Sequence, residues 1–218
     1  MGLTGTSPAA WGFLGGTFDP IHDAHLAIAE QARGELGLSG VLFVPARMPP
    51  HKLGRAVTHP AHRLRMVELA VAGRPGLRVD DLELGRSGPS YTVDTAEELV
   101  GVLGRDPWFI LSVEALRQLP GWHRPRRLLE LVRMAAVPRA GVTAPDGTWF
   151  AEHFPDQVGR FRLLTGPHLS HASSEIRRFV AEGRPIDHLV PPAVERYIRE
   201  HGLYRSHRSS RDAGGPIA

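Results

Sequence analysis

Cysteine is absent from the 218-residue sequence. Its absence excludes disulfides, thiolate metal sites and a cysteine nucleophile. No apolar run approaches the roughly 20 residues that span a bilayer. The first ten residues lack the apolar stretch after a basic start that marks a secretory signal, so a cytoplasmic protein with no membrane partner is expected. Neither the Gly-Lys-Ser/Thr Walker pattern nor a G-x-G-x-x-G fingerprint occurs, which excludes a P-loop ATPase and an ordinary dinucleotide dehydrogenase. The excess of one charge over the other is also small. A formal net charge of +3 suits an anionic small substrate as well as nucleic acid and does not choose between them.

What is present describes a folded α/β chain. Hydrophobic residues make up 42% and charged residues 22%, enough for a core and too few charges for wholesale disorder. Trp11 to Leu14 reads as a strand running into Gly15-Gly16, and Asp23 as the cap of a helix through about Gly34. Val41 to Val44 reads as the next strand, which completes a βαβ unit with parallel strands. Helices are expected over Arg63 to Ala72, Val93 to Leu103, Leu128 to Leu131, Ser174 to Glu182 and Ala193 to His201. Extended segments are expected at Leu77 to Leu84, Trp108 to Leu111, Arg133 to Val137 and Phe161 to Leu164. An irregular loop should run from Pro138 to Gln157. The alternation points to a doubly wound parallel sheet. One domain over residues 11–204 is expected, with a flexible start over 1–10 and a disordered polar tail over 205–218.

The strongest local signal is Gly15-Gly16-Thr17-Phe18-Asp19-Pro20-Ile21-His22-Asp23-Ala24-His25. A strand delivers the chain into a loop with two glycines, which allow close approach to a ligand. The loop enters a helix whose free N–H groups favour an anion. His22 and His25 are three residues apart across that helix start and can project to one side. Together these features describe a phosphate site at the carboxyl end of a parallel strand. Each taken alone is common for structural reasons. A zinc site shared by the two histidines is an alternative, but it lacks an obvious third ligand nearby.

The run resembles the G-x-F-D-P-x-H-x-G-H signature of the nucleotidyltransferase superfamily, in the form found in bacterial nicotinate-nucleotide adenylyltransferases. Further segments resemble that family in order. They are Met48-Pro49-Pro50-His51-Lys52, Pro89-Ser90-Tyr91-Thr92, Phe109 to Trp122, Ser173-Ser174-Glu175-Ile176-Arg177, and the closing stretch from Leu189 to Tyr204. The resemblance covers about Trp11 to Tyr204 and implies a Rossmann-like fold of the nucleotidyltransferase type.

It also implies an activity: transfer of the adenylyl group of ATP to nicotinate mononucleotide, giving nicotinate adenine dinucleotide and pyrophosphate. His22, His25 and Arg177 would then be the catalytic residues. ATP would lie against Gly15, Gly16, Thr17, Phe18, Ser112, Glu114, Ser173 and Ser174. The mononucleotide would meet Asp19, Lys52, Tyr91, Thr92 and Trp122, with the tryptophan stacking on the pyridine ring. Mg²⁺ would arrive with ATP, and no protein-held metal is implied. ATP and the mononucleotide are the expected partners, without nucleic acid; a homo-oligomer is left open.

The chain departs from the family pattern at five positions. Ala24 replaces the glycine of H-x-G-H. Ser112 and Glu114 replace the glycine and aspartate of a G-x-D segment. Ala172 and Ser174 replace the first Ser/Thr and the threonine of the late motif. If residue 112 had a positive φ, its serine would cost on the order of 1 kcal/mol, and weaker ATP binding is expected from these changes. A sister transferase acting on another acceptor, such as nicotinamide mononucleotide, is one alternative. A divergent non-catalytic nucleotide-binding or RNA-binding protein is another.

Overall fold

A computed structural model describes residues 10–48, 57–138, 141–166 and 172–205. The opening βαβ unit consists of β1 (Trp11–Gly16), α1 (Asp23–Leu36) and β2 (Gly40–Pro45). α2 (Pro60–Val71) leads to β3 (Leu77–Val79), and α3 (Thr92–Leu103) leads to β4 (Trp108–Ser112). α4 (Val113–Gln118) and α5 (Pro125–Leu131) precede β5 (Arg133–Val137), and α6 (Gly147–His153) precedes β6 (Phe161–Leu163). α7 (Ser173–Ala181) and α8 (Pro192–Glu200) come last.

The strands form one parallel sheet in the order β3-β2-β1-β4-β5-β6. This is the expected Rossmann-like doubly wound α/β fold. Alternating side chains leave the sheet on opposite faces, so the strands feed two apolar layers. Leu14, Phe43, Ile110 and Ala135 join α1, α2, α7 and α8 on one face. Phe13, Leu42, Phe109, Leu111 and Met134 join α3, α4, α5 and α6 on the other.

Three local expectations need correction. Asp23 is not the cap of α1 but its first residue, and His22, with extended φ and ψ, holds the capping position. An acid in the first turn still complements the helix dipole. The extended stretch from Leu77 ends at Val79, because the Asp80 carboxylate accepts a bond from the Leu82 N–H at 2.9 Å and folds the chain into a turn. The segment from Pro138 to Gln157 is not wholly irregular. Asp146 accepts from the Trp149 N–H at 3.0 Å and starts α6 there, a capping signal legible in Asp-Gly-Thr-Trp. Residues 1–9 of the start expected over 1–10, Lys52, and residues 206–218 of the tail expected over 205–218 lie outside the described residues.

The strand order reverses at the β1–β4 boundary. Leu14 pairs with Ile110 there, so the loops after β1 and β4 leave the sheet side by side and open a crevice between them. On the far side of β1, packing with β2 leaves no room at Gly40. A Cβ there would stand 2.6 Å from the Gly76 carbonyl and inside the Trp11 ring. Backbone cannot step aside, so Gly40→Ala should cost about 3 kcal/mol, read as a lowered midpoint in urea unfolding with the m-value unchanged.

Candidate active site

The loop after β1 is built from the inside out. Phe18 takes a positive φ of 48°, which costs an L-residue on the order of 1 kcal/mol. Its ring is buried and packs near Phe43 and edge-on to His25. Gly16 is the reason it fits, since a Cβ at 16 would stand 2.9 Å from that ring. The Phe18 side chain is therefore a prop under the loop, and its backbone is what a ligand can meet. Gly15 differs. It is exposed, its φ is not positive, and a Cβ there would make only an ordinary contact with Phe109 at 3.6 Å. Nothing in the described protein requires a glycine at 15.

His22 and His25 do come together, with ring centroids 3.8 Å apart. His22 is buried rather than lying in an open cleft, and His25 is half-buried. The His22 backbone N–H donates to Nδ1 of His25 at 3.3 Å. With Nδ1 accepting, the proton of the neutral His25 ring sits on Nε2, which makes that nitrogen a donor.

The late motif docks onto the same loop. Arg177 Nη1 donates to the Asp19 carbonyl at 2.6 Å across a separation of 158 residues, and Ser173 Oγ donates to the Pro20 carbonyl at 3.0 Å. Ser174 is exposed at the start of α7. Position 172 is the N-cap of that helix, and Ala172 makes no side-chain cap bond. The departure there removes a helix cap, worth about 1 kcal/mol.

The Asp19 carboxylate is committed inside the protein. It accepts from the Thr58 N–H at 3.3 Å and from the Tyr204 hydroxyl at 2.7 Å. Burial and the Asp19 charge push the Tyr204 phenol well above its ordinary pKa, so it remains a donor. Arg63, which sequence reading treated only as the start of a helix, is fully buried. It donates to the carbonyls of Thr17, Ala46, Arg47 and Thr58. Burial lowers its pKa and the Asp19 charge opposes that, but a guanidinium stays protonated.

Across the crevice, Ser112 ends β4 with φ −78°, so the positive-φ strain considered for it does not arise. Its Oγ accepts from the Ala115 N–H at 3.2 Å and caps α4. Glu114 is half-buried in the first turn of that helix.

Tyr91 is the N-cap of α3 and Thr92 its first residue, which sets their N–H groups at a helix start. Ser90 ties this segment to the end of β2. Its hydroxyl accepts from the N–H groups of Arg47 and Met48, and its own N–H donates to the Met48 carbonyl at 3.0 Å. Tyr91 stacks on His123 with centroids 4.3 Å apart, and Trp122 lies half-buried against Phe109. Phe109 thus stands between Gly15 and Trp122.

A second buried ionisable group escaped the sequence reading. Glu83 accepts from the Thr95 hydroxyl at 2.6 Å, and burial raises its pKa against the opposing bonds of Thr95 and Ser90. Thr58 and Tyr204 help shape the crevice through their bonds to Asp19, a role their spacing did not announce.

Among the described residues no group of three His, Asp or Glu side chains could hold a metal ion. No helix among them is long and apolar enough to cross a membrane.

A phosphate-type loop at the switch point, with an arginine docked on it from the far end of the chain, defines a nucleotidyltransferase. The cytidylyltransferase-like family model matches residues 13–179. Curated relatives are more specific. One from a Roseiflexus species is 45% identical over 199 residues, covering 91% of this chain and 100% of the relative. Another, from Dehalococcoides mccartyi, is 41% identical over 195 residues, covering 88% and 96%. Both carry the name "Probable nicotinate-nucleotide adenylyltransferase". The chain belongs to this nicotinate-nucleotide adenylyltransferase family, within the cytidylyltransferase-like proteins. Among solved structures, the Plasmodium falciparum nicotinic acid mononucleotide adenylyltransferase complexed with NaAD is similar with a TM-score of 0.73 at 20% identity, covering 90% of this chain and 98% of that one. At that identity the likeness bears on the fold.

The two loop glycines should separate under substitution. Gly15→Ala should leave stability within about 0.5 kcal/mol while raising the KM for ATP at least several-fold. Gly16→Ala should lower both stability and activity, because it displaces Phe18. Thermal unfolding and steady-state kinetics on the same preparations check the pair. Normal kinetics in Gly15→Ala would mean that no substrate approaches that backbone.

Proposed function

We propose that this protein catalyses adenylyl transfer from ATP to nicotinate mononucleotide, forming nicotinate adenine dinucleotide and pyrophosphate. The observation that carries the reading is the docking of Arg177 on the Asp19 carbonyl beside His22 and His25, in a chain whose family acts on this acceptor by name. That contact gathers cationic and neutral donors at the mouth of the β1 loop, where a polyphosphate would lie.

The 5′-phosphate of the mononucleotide attacks the α-phosphorus of ATP in line, the bond to the β-phosphate oxygen breaks, and pyrophosphate leaves. The attacking phosphate is already ionised, so no general base is needed. Catalysis is positioning together with stabilisation of charge as it shifts toward the leaving group. His25 donates from Nε2 to a phosphate oxygen, and His22 supplies the second imidazole. Arg177 spends one N–H on Asp19 and turns its remaining donors to the β- and γ-phosphates. Mg²⁺ enters as part of the substrate MgATP and shields its phosphate oxygens.

On the acceptor side, the N–H groups at the start of α3, by Tyr91 and Thr92, receive the nicotinate carboxylate. Trp122 offers the pyridine a flat face. Asp19 acts through its carbonyl and its internal bonds, and Ser112 and Glu114 form the adenosine side of the crevice. Lys52 enters by resemblance as the group that receives the mononucleotide phosphate.

An acceptor panel tests this. With MgATP, pyrophosphate release should be fastest with nicotinate mononucleotide. The acid should exceed the amide by at least about tenfold in kcat/KM, equivalent to 1.4 kcal/mol, because backbone donors favour a carboxylate. Equal or better use of the amide would overturn the acid assignment. Release with none of the pyridine mononucleotides would overturn the transferase reading.

A further inference from the structure

We infer that Arg63 is a positioning residue that couples the two substrate subsites, so that occupancy of one tightens the other. This rests on the reading above, in which the β1 loop holds ATP and the segments after β2 and before α3 hold the mononucleotide.

The observation is the distribution of one guanidinium's bonds. Arg63 is completely buried, yet no carboxylate lies within hydrogen-bond reach of it among the described residues. Its Nε donates to the Thr58 carbonyl at 2.8 Å, and Nη1 donates to the carbonyls of Thr17 at 2.8 Å and Ala46 at 2.6 Å. Nη2 reaches the Arg47 carbonyl at 3.1 Å. Thr17 belongs to the β1 loop. Ala46 and Arg47 follow β2, and Thr58 precedes α2. One rigid planar group therefore fixes three separate segments to one another.

The core does not need this arrangement. α2 already buries Met66, Val67, Ala70 and Val71. Placing a cation beneath them is costly, and the bonds it makes must compensate for lost hydration. All four bonds go to loop backbone that borders the crevice. The counter-charge is Asp19, whose own carbonyl holds Arg177.

The chain of contacts continues on the acceptor side. Arg47 and Met48 donate to Ser90, next to Tyr91 and Thr92. A displacement of the Thr17 backbone by ATP phosphates is thus transmitted through a fork of fixed geometry to Ala46 and Arg47, and through Ser90 to the start of α3. Coupling of this kind is reciprocal.

The test is equilibrium binding by calorimetry on the full chain. Its probes are α,β-methylene ATP, which cannot release pyrophosphate, and nicotinate mononucleotide, each titrated alone and against the other at saturation. In the unaltered protein each ligand should tighten the other by at least about fivefold. In Arg63→Lys, which keeps the charge and loses the planar fork, that factor should fall toward one while each ligand alone binds within about threefold of the unaltered protein. Ser90→Ala, which removes the hydroxyl link from Arg47 and Met48 to the start of α3 and leaves Arg63 and Asp19 in place, should lower the factor likewise and serves if the lysine variant does not fold. A factor of one in the unaltered protein overturns the inference without any variant. An undiminished factor in a folded variant overturns it too. If the two ligands bind singly and only the coupling is missing, the functional reading stands. If either ligand fails to bind both alone and in the presence of the other, that reading falls and this inference falls with it.

Discussion

The site depends on one buried aspartate in the first loop. Asp19 receives three segments that are far apart in sequence: Thr58 and Tyr204 on its carboxylate, and Arg177 on its carbonyl. A buried carboxylate is stable only if its oxygens are bonded and a cation stands near. Here the hydroxyl and the N–H supply the bonds, and Arg63 supplies the charge. The need to satisfy one buried carboxylate therefore draws the residues after α8 and the approach to α2 onto the end of β1, and the main-chain carbonyl of the same residue receives α7 through Arg177. Arg177, proposed above as catalytic, takes its position from that carbonyl. Arg177 is held where it is because Asp19 is held first.

How much of this was legible in the sequence follows from how local each feature is. The βαβ opening, the parallel sheet and the loop from Gly15 to His25 were legible because strand alternation, glycine pairs and helix starts are written within a few residues. The same holds for Tyr91 and Thr92 at the start of α3. Arg63 and Glu83 were not legible. Their meaning lies in burial and in carbonyl or hydroxyl partners on other segments, and an isolated Arg in a helical stretch or Glu in an extended one reads as solvated. Phe18 gave a mixed message. Its place in the motif suggested a ligand contact, whereas its ring serves the fold beneath the loop. α6 was missed although Asp146 announced it, because a segment rich in Pro, Gly and Thr masked a single cap.

The departures from the family pattern also read differently in three dimensions. Ser112 and Ala172 both fall at N-caps of helices that border the crevice. Ser112 supplies a cap to α4, and Ala172 leaves α7 without a side-chain cap. Each change alters a helix terminus by about 1 kcal/mol, in opposite directions. Neither imposes a strained backbone, since Ser112 has an ordinary negative φ. Their effect is exerted on how firmly α4 and α7 present their first turns.

The chemistry assigned to this crevice is a single displacement at the α-phosphorus by the mononucleotide phosphate, with the protein contributing donors and charge but no covalent bond. The most direct measurement is the stereochemical outcome with ATP bearing a chiral α-phosphorothioate of known configuration and nicotinate mononucleotide as acceptor. One in-line attack inverts the configuration, so the dinucleotide should carry the inverted α-phosphorus. Retention, the mark of two successive displacements through an adenylylated side chain, would contradict direct transfer.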